Sequence, residues 1–473
     1  MTHKNHAVPS LSFLSEDQIA YIHARSLQIL HTVGVRVDSQ RARNILTSAT
    51  GVRWISDDRA CLEAELIEWA LDVAPATIDV FDRTGKPAFC LGADRTRFGV
   101  GVTNLYYQDP LTDQVSQFTR QDMGRSVRLS HQLPNFDLVS TIGIVQDYPP
   151  EKADLYAELE MLANTTKPLV ILVSNEQLFT PVLDLFEHLV GDLAEKPFVL
   201  PYFNPITPLI INSGTSDKLL EAVARGLPVI YSNYSMAGMS TPITAAGTLI
   251  LMNAELLAGL VLAQLARPGT PVILSCLPAY FDMRTMQDFY DPKSYLINLA
   301  CAEMMTHYRL PHAGSSGSGV GWGPDLVGGG AFWISHLTNL LGKCGLAPFV
   351  GGNFGSKAFS PAITVYANDV IGQALSFANG FALDDESLGM DDIARVGPGG
   401  SFLDTQLTMS LFRHAYYDSK IFPHWSLERW QERGQPQSVD LLRQHTQELL
   451  ATAQPPSDHD DLVSRGESFI DRL

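Results

Sequence analysis

The sequence predicts an α/β fold, a closed (β/α)8 TIM barrel. From about residue 97 onward, short apolar runs that end in Gly, Asn, Ser or Pro alternate with longer helical patterns. Eight such units occupy about 285 residues, the size of a closed barrel, and an open doubly wound sheet is the alternative. The predicted barrel strands are residues 97–103, 138–145, 168–174, 198–204, 228–234, 271–277, 310–315 and 346–352.

Each predicted strand is followed by a predicted helix. Lys-Pro, Leu-Pro or Thr-Pro opens several of the strands, which is expected where a helix has just ended, because the residue before proline disfavours the helical conformation. The predicted helices are residues 119–131, 151–166, 177–191, 214–226, 244–267, 293–309, 328–343 and 361–380.

Two further segments flank the predicted barrel. Ser15, with Gln18 three residues later, forms a capping box before an apolar helical pattern that ends at Gly34. After about residue 390 the chain becomes more polar. We therefore predict an N-terminal helical cap, the barrel and a C-terminal extension, at residues 1–96, 97–389 and 390–473.

Composition and charge limit the classes of function. The chain has 473 residues, with 33 Lys+Arg against 51 Asp+Glu, and a formal net charge of −18. This acidity argues against nucleic acid or an anionic membrane surface as a partner. Because only 18% of the residues are charged and 45% are hydrophobic, we expect a large folded core and not a disordered chain.

The cysteines and the apolar segments favour a cytoplasmic protein. The five cysteines are widely spaced without a C-x-x-C pair, so neither a disulfide framework nor a thiolate metal site is expected. The N-terminus has no apolar segment typical of a signal peptide. Residues 243–266 are long enough to cross a bilayer, but they contain Asn253, Glu255 and Gln264, and we expect a buried helix.

The carboxyl ends of the barrel strands are where functional residues are expected. No predicted strand ends in Lys, and the chain has no H-x-H, H-E-x-x-H or G-x-S-x-G pattern. Schiff-base chemistry, a bound catalytic metal and a serine nucleophile are therefore not expected, and no catalytic residue is assigned.

The predicted strand ends instead supply amides and aromatic rings, which suit a quaternary ammonium group. Such a group has no N–H to donate and binds against aromatic faces. Ordinary packing at the barrel mouth is the alternative for each aromatic candidate, and a buried structural histidine is the alternative for the histidine. The candidate substrate-binding residues are Asn104, Tyr106, Tyr234, His312, Trp322 and Phe354.

A glycine-rich run, GSSGSGVGWGPDLVGGG at residues 314–330, follows the seventh predicted strand. It lacks the G-K-[ST] of a phosphate-binding loop. We therefore favour a lid over the barrel mouth, since glycines tolerate the backbone changes of opening and closing.

Three passages resemble the trimethylamine methyltransferase family, whose members include non-pyrrolysine glycine betaine methyltransferases. Residues 236–278 contain MAGMSTPITAAGTLILMNAELLAG, residues 395–403 read RVGPGGSFL, and residues 30–37 read LHTVGVRV. The similarity extends over most of residues 10–435. The chain lacks pyrrolysine, and SSGSGVGWGPD replaces the family's usual D-S-K segment after the seventh strand.

The resemblance implies a methyltransferase that moves a methyl group from a quaternary or other methylated amine to the cobalt of a corrinoid. A separate corrinoid protein carries that cofactor, so the chain itself needs neither a nucleophile nor a metal. Gly317, Gly319 and Gly321 are the candidates for contact with the corrinoid, and a homo-oligomer is expected. The alternatives are cleavage or demethylation of another onium compound, such as a sulfonium, and a non-catalytic onium-binding protein.

Overall fold

The structure, a computed structural model, describes residues 5–92, 95–101, 103–315 and 317–473. Helices and short strands precede the barrel. The helices are α1 (Glu16–Thr32), α2 (Gln40–Thr47) and α3 (Ala64–Val73), and the strands are β1 (His6–Ala7), β2 (Val35–Val37), β3 (Val52–Trp54), β4 (Arg59–Leu62), β5 (Ile78–Phe81) and β6 (Pro87–Leu91).

The N-terminal segment, which the sequence predicts as a helical cap, is mixed, because short strands lie among its three helices. The capping box of α1 is present: the Ser15 hydroxyl accepts from the Gln18 amide, and the Ser15 amide donates to Gln18 Oε1 at 2.8 Å. Gly34 then reverses the chain at φ +71°, where a Cβ would lie 2.4 Å from the carbonyl oxygen of Ala60. β2 therefore pairs closely with β4. The strands of this sheet are too short to be predicted from the sequence pattern.

The barrel contains eight parallel strands, as predicted. The chain order is also the spatial order, and the last strand pairs with the first, which closes the sheet. The strands are β7 (Arg97–Val100), β10 (Leu138–Ser140), β11 (Leu169–Ile171), β12 (Val199–Phe203), β14 (Val229–Ala237), β15 (Val272–Asp282), β17 (His312–Ala313) and β18 (Leu346–Val350).

Eight helices surround the barrel at the predicted places. They are α4 (Arg120–Gln132), α5 (Ala153–Asn164), α6 (Phe179–Val190), α7 (Ser213–Ala224), α8 (Ala245–Ala266), α9 (Pro292–Tyr308), α10 (Leu326–Leu341) and α11 (Pro361–Ala378). Additional short strands lie between or after these barrel elements. They are β8 (Tyr106–Gln108), β9 (Val115–Gln117), β13 (Ile210–Ile211), β16 (Gln287–Phe289), β19 (Gly352–Asn353), β20 (Ala358–Phe359) and β21 (Phe381–Ala382). The last of them, β21, pairs with β1.

Helix α8 is the predicted apolar helix, and it lies inside the fold. Within the described ranges it is the one helix long and apolar enough to cross a membrane, and 83% of its most apolar window is buried. It packs against α1, α3 and α9, and Gly259 lets the ring of Tyr231 approach its backbone. The expectation of a buried helix is confirmed.

The hairpin of β5 and β6 closes the amino-terminal end of the barrel, and we call it the floor hairpin. Its apolar side chains, Ile78, Val80, Phe89 and Leu91, pack among the inward-facing residues near the start of the strands. These inward-facing residues include Leu138, Val170, Leu200, Ile230, Ile273 and Leu346. The carboxyl ends of the strands are thus left as the open end of the barrel.

The chain after the barrel has two parts. Helices α12 (Asp385–Leu388), α13 (Met390–Val396), α14 (Gln406–Leu411) and α15 (Leu427–Glu432) contain no buried residue, whereas α16 (Ser438–Thr452) and α17 (His459–Ile470) pack back onto the barrel helices. Arg83 fixes this return, because its guanidinium donates to both carboxylate oxygens of Asp458, at 2.7 and 2.8 Å.

Candidate functional site

The sixth barrel strand extends beyond its predicted end and brings an acidic residue to the barrel mouth. β15 continues to Asp282, and the chain then turns back as the antiparallel strand β16. Asp288, in the middle of β16, accepts a hydrogen bond from the hydroxyl of Tyr234 on β14. Burial, then the neighbouring Tyr290 and Asp288, hold the pKa of Tyr234 far above its usual range, so its phenol stays protonated and donates.

A cavity of about 610 Å³ lies beside this pair, between β16 and the loops that follow β17 and β18. Its wall combines aromatic rings with one acidic and one basic side chain. The aromatic and charged side chains on this wall are Asp288, Phe289, Tyr290, Trp322, Phe354 and Lys357. Aromatic faces together with a carboxylate favour an organic cation.

The glycine-rich loop forms one wall of the cavity and is held by backbone hydrogen bonds. The Gly319 amide donates to the carbonyl of Gly352 at 2.8 Å, and the Gly355 amide donates to the carbonyl of Gly319 at 2.9 Å. The Phe354 amide donates to the carbonyl of Gly321 at 3.0 Å. These bonds join the loops after β17 and β18 into one surface, which places Trp322 and Phe354 on the same cavity.

Side chains complete the support of Trp322. Asn353 donates to Gln108 Oε1 at 2.6 Å, and Gln108 donates to the backbone carbonyl of Trp322 at 2.9 Å. Asp325 accepts from the amide of Trp322 at 2.9 Å and also caps helix α10. The tryptophan backbone is therefore fixed from both sides, while 69% of its side chain remains exposed to solvent.

Gly319 and Gly321 need to be glycines. Their φ angles are +93° and +85°, in the left-handed region that other residues rarely adopt. A Cβ on Gly319 would lie 2.8 Å from Ser356 Oγ, and one on Gly321 would lie 2.8 Å from an Asp325 carboxylate oxygen. The cavity wall at these two positions therefore consists of backbone alone.

Glu255 supports Tyr234 from behind the barrel wall. Its carboxylate accepts hydrogen bonds from the backbone amide of Leu209, from the side-chain amide of Asn233, and from Thr207 Oγ1 at 3.2 Å. Burial raises the pKa of Glu255 to about 7. Because side chains alternate along a strand, fixing Asn233 outward directs Tyr234 inward.

His312 does not lie at the mouth. Its paired residue Leu274 belongs to the outer core, whereas the next residue, Ala313, faces the barrel interior. The His312 ring lies 2.8 Å from the carbonyl oxygen of Leu274 and 3.7 Å from Cys276 Sγ. Burial lowers its pKa to about 4, so it is neutral near pH 7. The structure thus gives it the position of a buried histidine between the barrel wall and the helices.

Three other candidates lie near the mouth but away from this cavity. Asn104 is fully buried, and its amide donates to the carbonyl of Ile142 at 2.7 Å. Tyr106 lies on β8, between β9 and β20, and is 39% exposed. Gly317 faces Phe332 and Ser335 of helix α10. The structure therefore groups Tyr234, Trp322, Phe354, Gly319 and Gly321, and leaves these three outside the group.

Asp288, Phe289 and Tyr290 line the cavity but are not among the residues predicted from the sequence. They lie in the segment QDFY, where an acidic residue precedes two aromatic residues shortly after the sixth strand. That pattern was the available signal, but the hairpin that returns it to the mouth depends on pairing with β15. Among the residues that the structure describes, no group of three or more His, Cys, Asp or Glu side chains is arranged to hold a metal ion.

The closed barrel and the cavity at the carboxyl ends of its strands define a TIM-barrel enzyme. A family model described as trimethylamine methyltransferase (MTTB) matches residues 1–473, and the chain belongs to this family. The resemblance inferred from its motifs is therefore confirmed.

Relatives agree with this assignment, and a solved structure shares the fold. The chain is 26% identical to the trimethylamine methyltransferase MttB of Desulfitobacterium hafniense (strain DSM 10664 / DCB-2), over 93% of this chain and 91% of that protein. It is also 26% identical to the glycine betaine methyltransferase of D. hafniense (strain Y51), over 98% and 97% of the two chains. The crystal structure of the Methanosarcina barkeri monomethylamine methyltransferase MtmB shares the fold, with a TM-score of 0.52, 8% identity, and coverage of 100% of this chain and 90% of that one.

Proposed function

We propose that this protein transfers a methyl group from a betaine-like quaternary amine to the cobalt of a corrinoid carried by a separate protein. The observation that supports this most is the cavity lined by Trp322, Phe354, Phe289 and Asp288, with Tyr234 behind it as the hydrogen-bond donor to Asp288. The named relatives, which act on trimethylamine and glycine betaine, support the same chemistry.

The chain's own residues bind and orient the substrate. The aromatic faces hold the ammonium without hydrogen bonds, which leaves a methyl group free to point toward the opening. When bound, the corrinoid of the partner would supply the electron pair for the new bond to carbon, and the C–N bond would break with its own pair remaining on nitrogen. Because the charge on nitrogen disappears in this step, a carboxylate bound directly to the ammonium would favour the substrate over the transition state.

The hydrogen bond from Tyr234 moderates that effect. It draws part of the negative charge of Asp288 toward the phenol, so the cation experiences a softened anion beside aromatic rings. Positioning the N–CH₃ bond and excluding water are then the main contributions of the chain to catalysis.

The glycine wall is the proposed surface for the corrinoid. Gly319 and Gly321 present backbone without side chains, which permits a flat macrocycle to approach the bound methyl group. Gly317 contributes indirectly, by turning the loop against α10 at φ +81°. A homo-oligomer and a cytoplasmic location remain predictions.

Spectroscopy of the corrinoid protein tests the proposal. With the partner reduced to cobalt(I), glycine betaine or another quaternary amine should cause loss of the cobalt(I) absorbance only when this enzyme is present. Trp322→Ala should weaken binding of tetramethylammonium by about 1–2 kcal/mol, and Trp430→Ala, at a tryptophan of α15 that does not line the cavity, serves as the control.

The alternatives give different results in this assay. Turnover of a sulfonium compound, with none for quaternary amines, would assign the enzyme to another onium substrate. Binding of quaternary amines without any loss of cobalt(I) would indicate a non-catalytic onium-binding protein.

A further inference from the structure

The cavity at the barrel mouth carries two opposite charges that do not pair with each other. Asp288 and Lys357 are the charged side chains on its wall within the described ranges. Asp288 is engaged by the hydroxyl of Tyr234. Among the residues that the structure describes, the side chain of Lys357 has no ion-pair partner within 4 Å and no hydrogen-bond partner. A ligand with charges of both signs would interact favourably with both side chains.

The backbone of Lys357 is fixed, which anchors the base of its side chain at the cavity wall. Its amide donates to the carbonyl of Asn353 at 3.0 Å, and its own carbonyl accepts from the amides of Leu105 at 2.9 Å and Tyr106 at 3.0 Å. The residue therefore joins the loop after β18 to the start of β8. Its side chain is exposed at the opening and is free to reach a ligand.

The net charge of the whole protein bears on what Lys357 contributes to binding. At a net charge of −18, the protein repels free anions, and a carboxylate enters such a cavity only where a local cation compensates. A methylated amine without a carboxylate has no need of that cation.

We propose that Lys357 is a specificity-determining residue, which binds the carboxylate of a zwitterionic quaternary amine while Asp288 and the aromatic rings hold its ammonium end. This inference rests on the proposed function, because it assigns the second end of the same substrate. It selects carboxylated quaternary amines over those with an uncharged substituent.

Calorimetric binding of two probes tests this role. Glycine betaine carries both charges, and tetramethylammonium carries only the cation. Lys357→Met should weaken glycine betaine binding about tenfold or more, the loss expected for a charge-assisted contact, and leave tetramethylammonium binding unchanged. Lys357→Arg should retain most of the affinity for glycine betaine.

The control is Lys420→Met, which removes an equal charge from an exposed lysine near Asp418 that does not line the cavity, and should change neither affinity. An unchanged glycine betaine affinity in Lys357→Met would overturn the inference, and so would an equal loss for both probes, while the proposed function would stand. If the wild-type protein binds neither probe, the proposed function fails and this inference fails with it.

Discussion

Glu158 provides a quantitative test of how the barrel wall is built. This residue of α5 is fully buried behind β10, and Thr141 Oγ1 donates to its Oε1 at 2.7 Å. Its second carboxyl oxygen, Oε2, has no hydrogen-bond partner. Burial is the main reason that its pKa rises from 4.5 to about 8, with Asp154 adding to the shift. The carboxyl is therefore mostly protonated at pH 7.

The sign of the pH dependence follows from this direction. The folded protein binds the Glu158 proton more tightly than the unfolded chain does, so this proton stabilises the fold. The stabilisation is fully present below pH 4.5 and is lost as the pH rises through about 8. Each pKa unit corresponds to about 1.4 kcal/mol, so the whole interval amounts to about 5 kcal/mol. Glu158→Gln cannot ionise and should lack this dependence.

Urea unfolding followed by circular dichroism at pH 5.5, 6.5 and 7.5 measures the effect. Relative to Glu158→Gln, the wild-type free energy of unfolding should fall by about 3 kcal/mol across this range. Glu65→Gln, an exposed change on α3, should run parallel to the wild type. If the difference between wild type and Glu158→Gln stays constant with pH, Glu158 does not carry the raised pKa and the reasoning is refuted.

Three further substitutions test the packing and the site. Gly259→Ala places a Cβ 2.0 Å from the ring of Tyr231 and should lower the free energy of unfolding by about 1–3 kcal/mol. Gly330→Ala adds a Cβ with nothing within 4 Å and should not lower it. Equal effects of the two substitutions would contradict the packing argument. Gly319→Ala should slow methyl transfer while the fold is retained, and Gly269→Ala, at φ +82° in open space, carries the same backbone strain but should leave the rate unchanged. Glu255→Gln loses acceptor capacity for Leu209 and Asn233 and should weaken tetramethylammonium binding through Tyr234, and unchanged affinity would argue against this support.

The barrel was predictable because its signals are local. Each strand is a short apolar run with a Gly, Asn, Ser or Pro boundary, and α8 is long, apolar and mid-chain. The added strands were not predictable, because they exist only through pairing with distant partners. β15 illustrates this: Pro278 reads as a strand end, yet in the structure it stays in register with Ser235 of β14.

The site was predictable in part. Trp322 and Phe354 lie in the loops that follow the last two barrel strands, so their position in the chain brings them to the mouth. His312 also lies in a barrel strand, but side chains alternate with a period of two residues, and a difference of one position decides between the barrel interior and the wall. Ala313 takes the inward position. The sequence does not specify that register, because both residues are buried.

The floor hairpin has a kinetic consequence. Because Ile78, Val80, Phe89 and Leu91 close one end of the barrel, the described residues leave the mouth as the route by which a ligand enters and leaves. Under the proposed function, the amine and the corrinoid protein share this route, and the protein that docks second covers the molecule already inside. Initial-rate measurements should then show a compulsory order with the amine first. An excess of corrinoid protein should inhibit turnover, and added amine should relieve that inhibition.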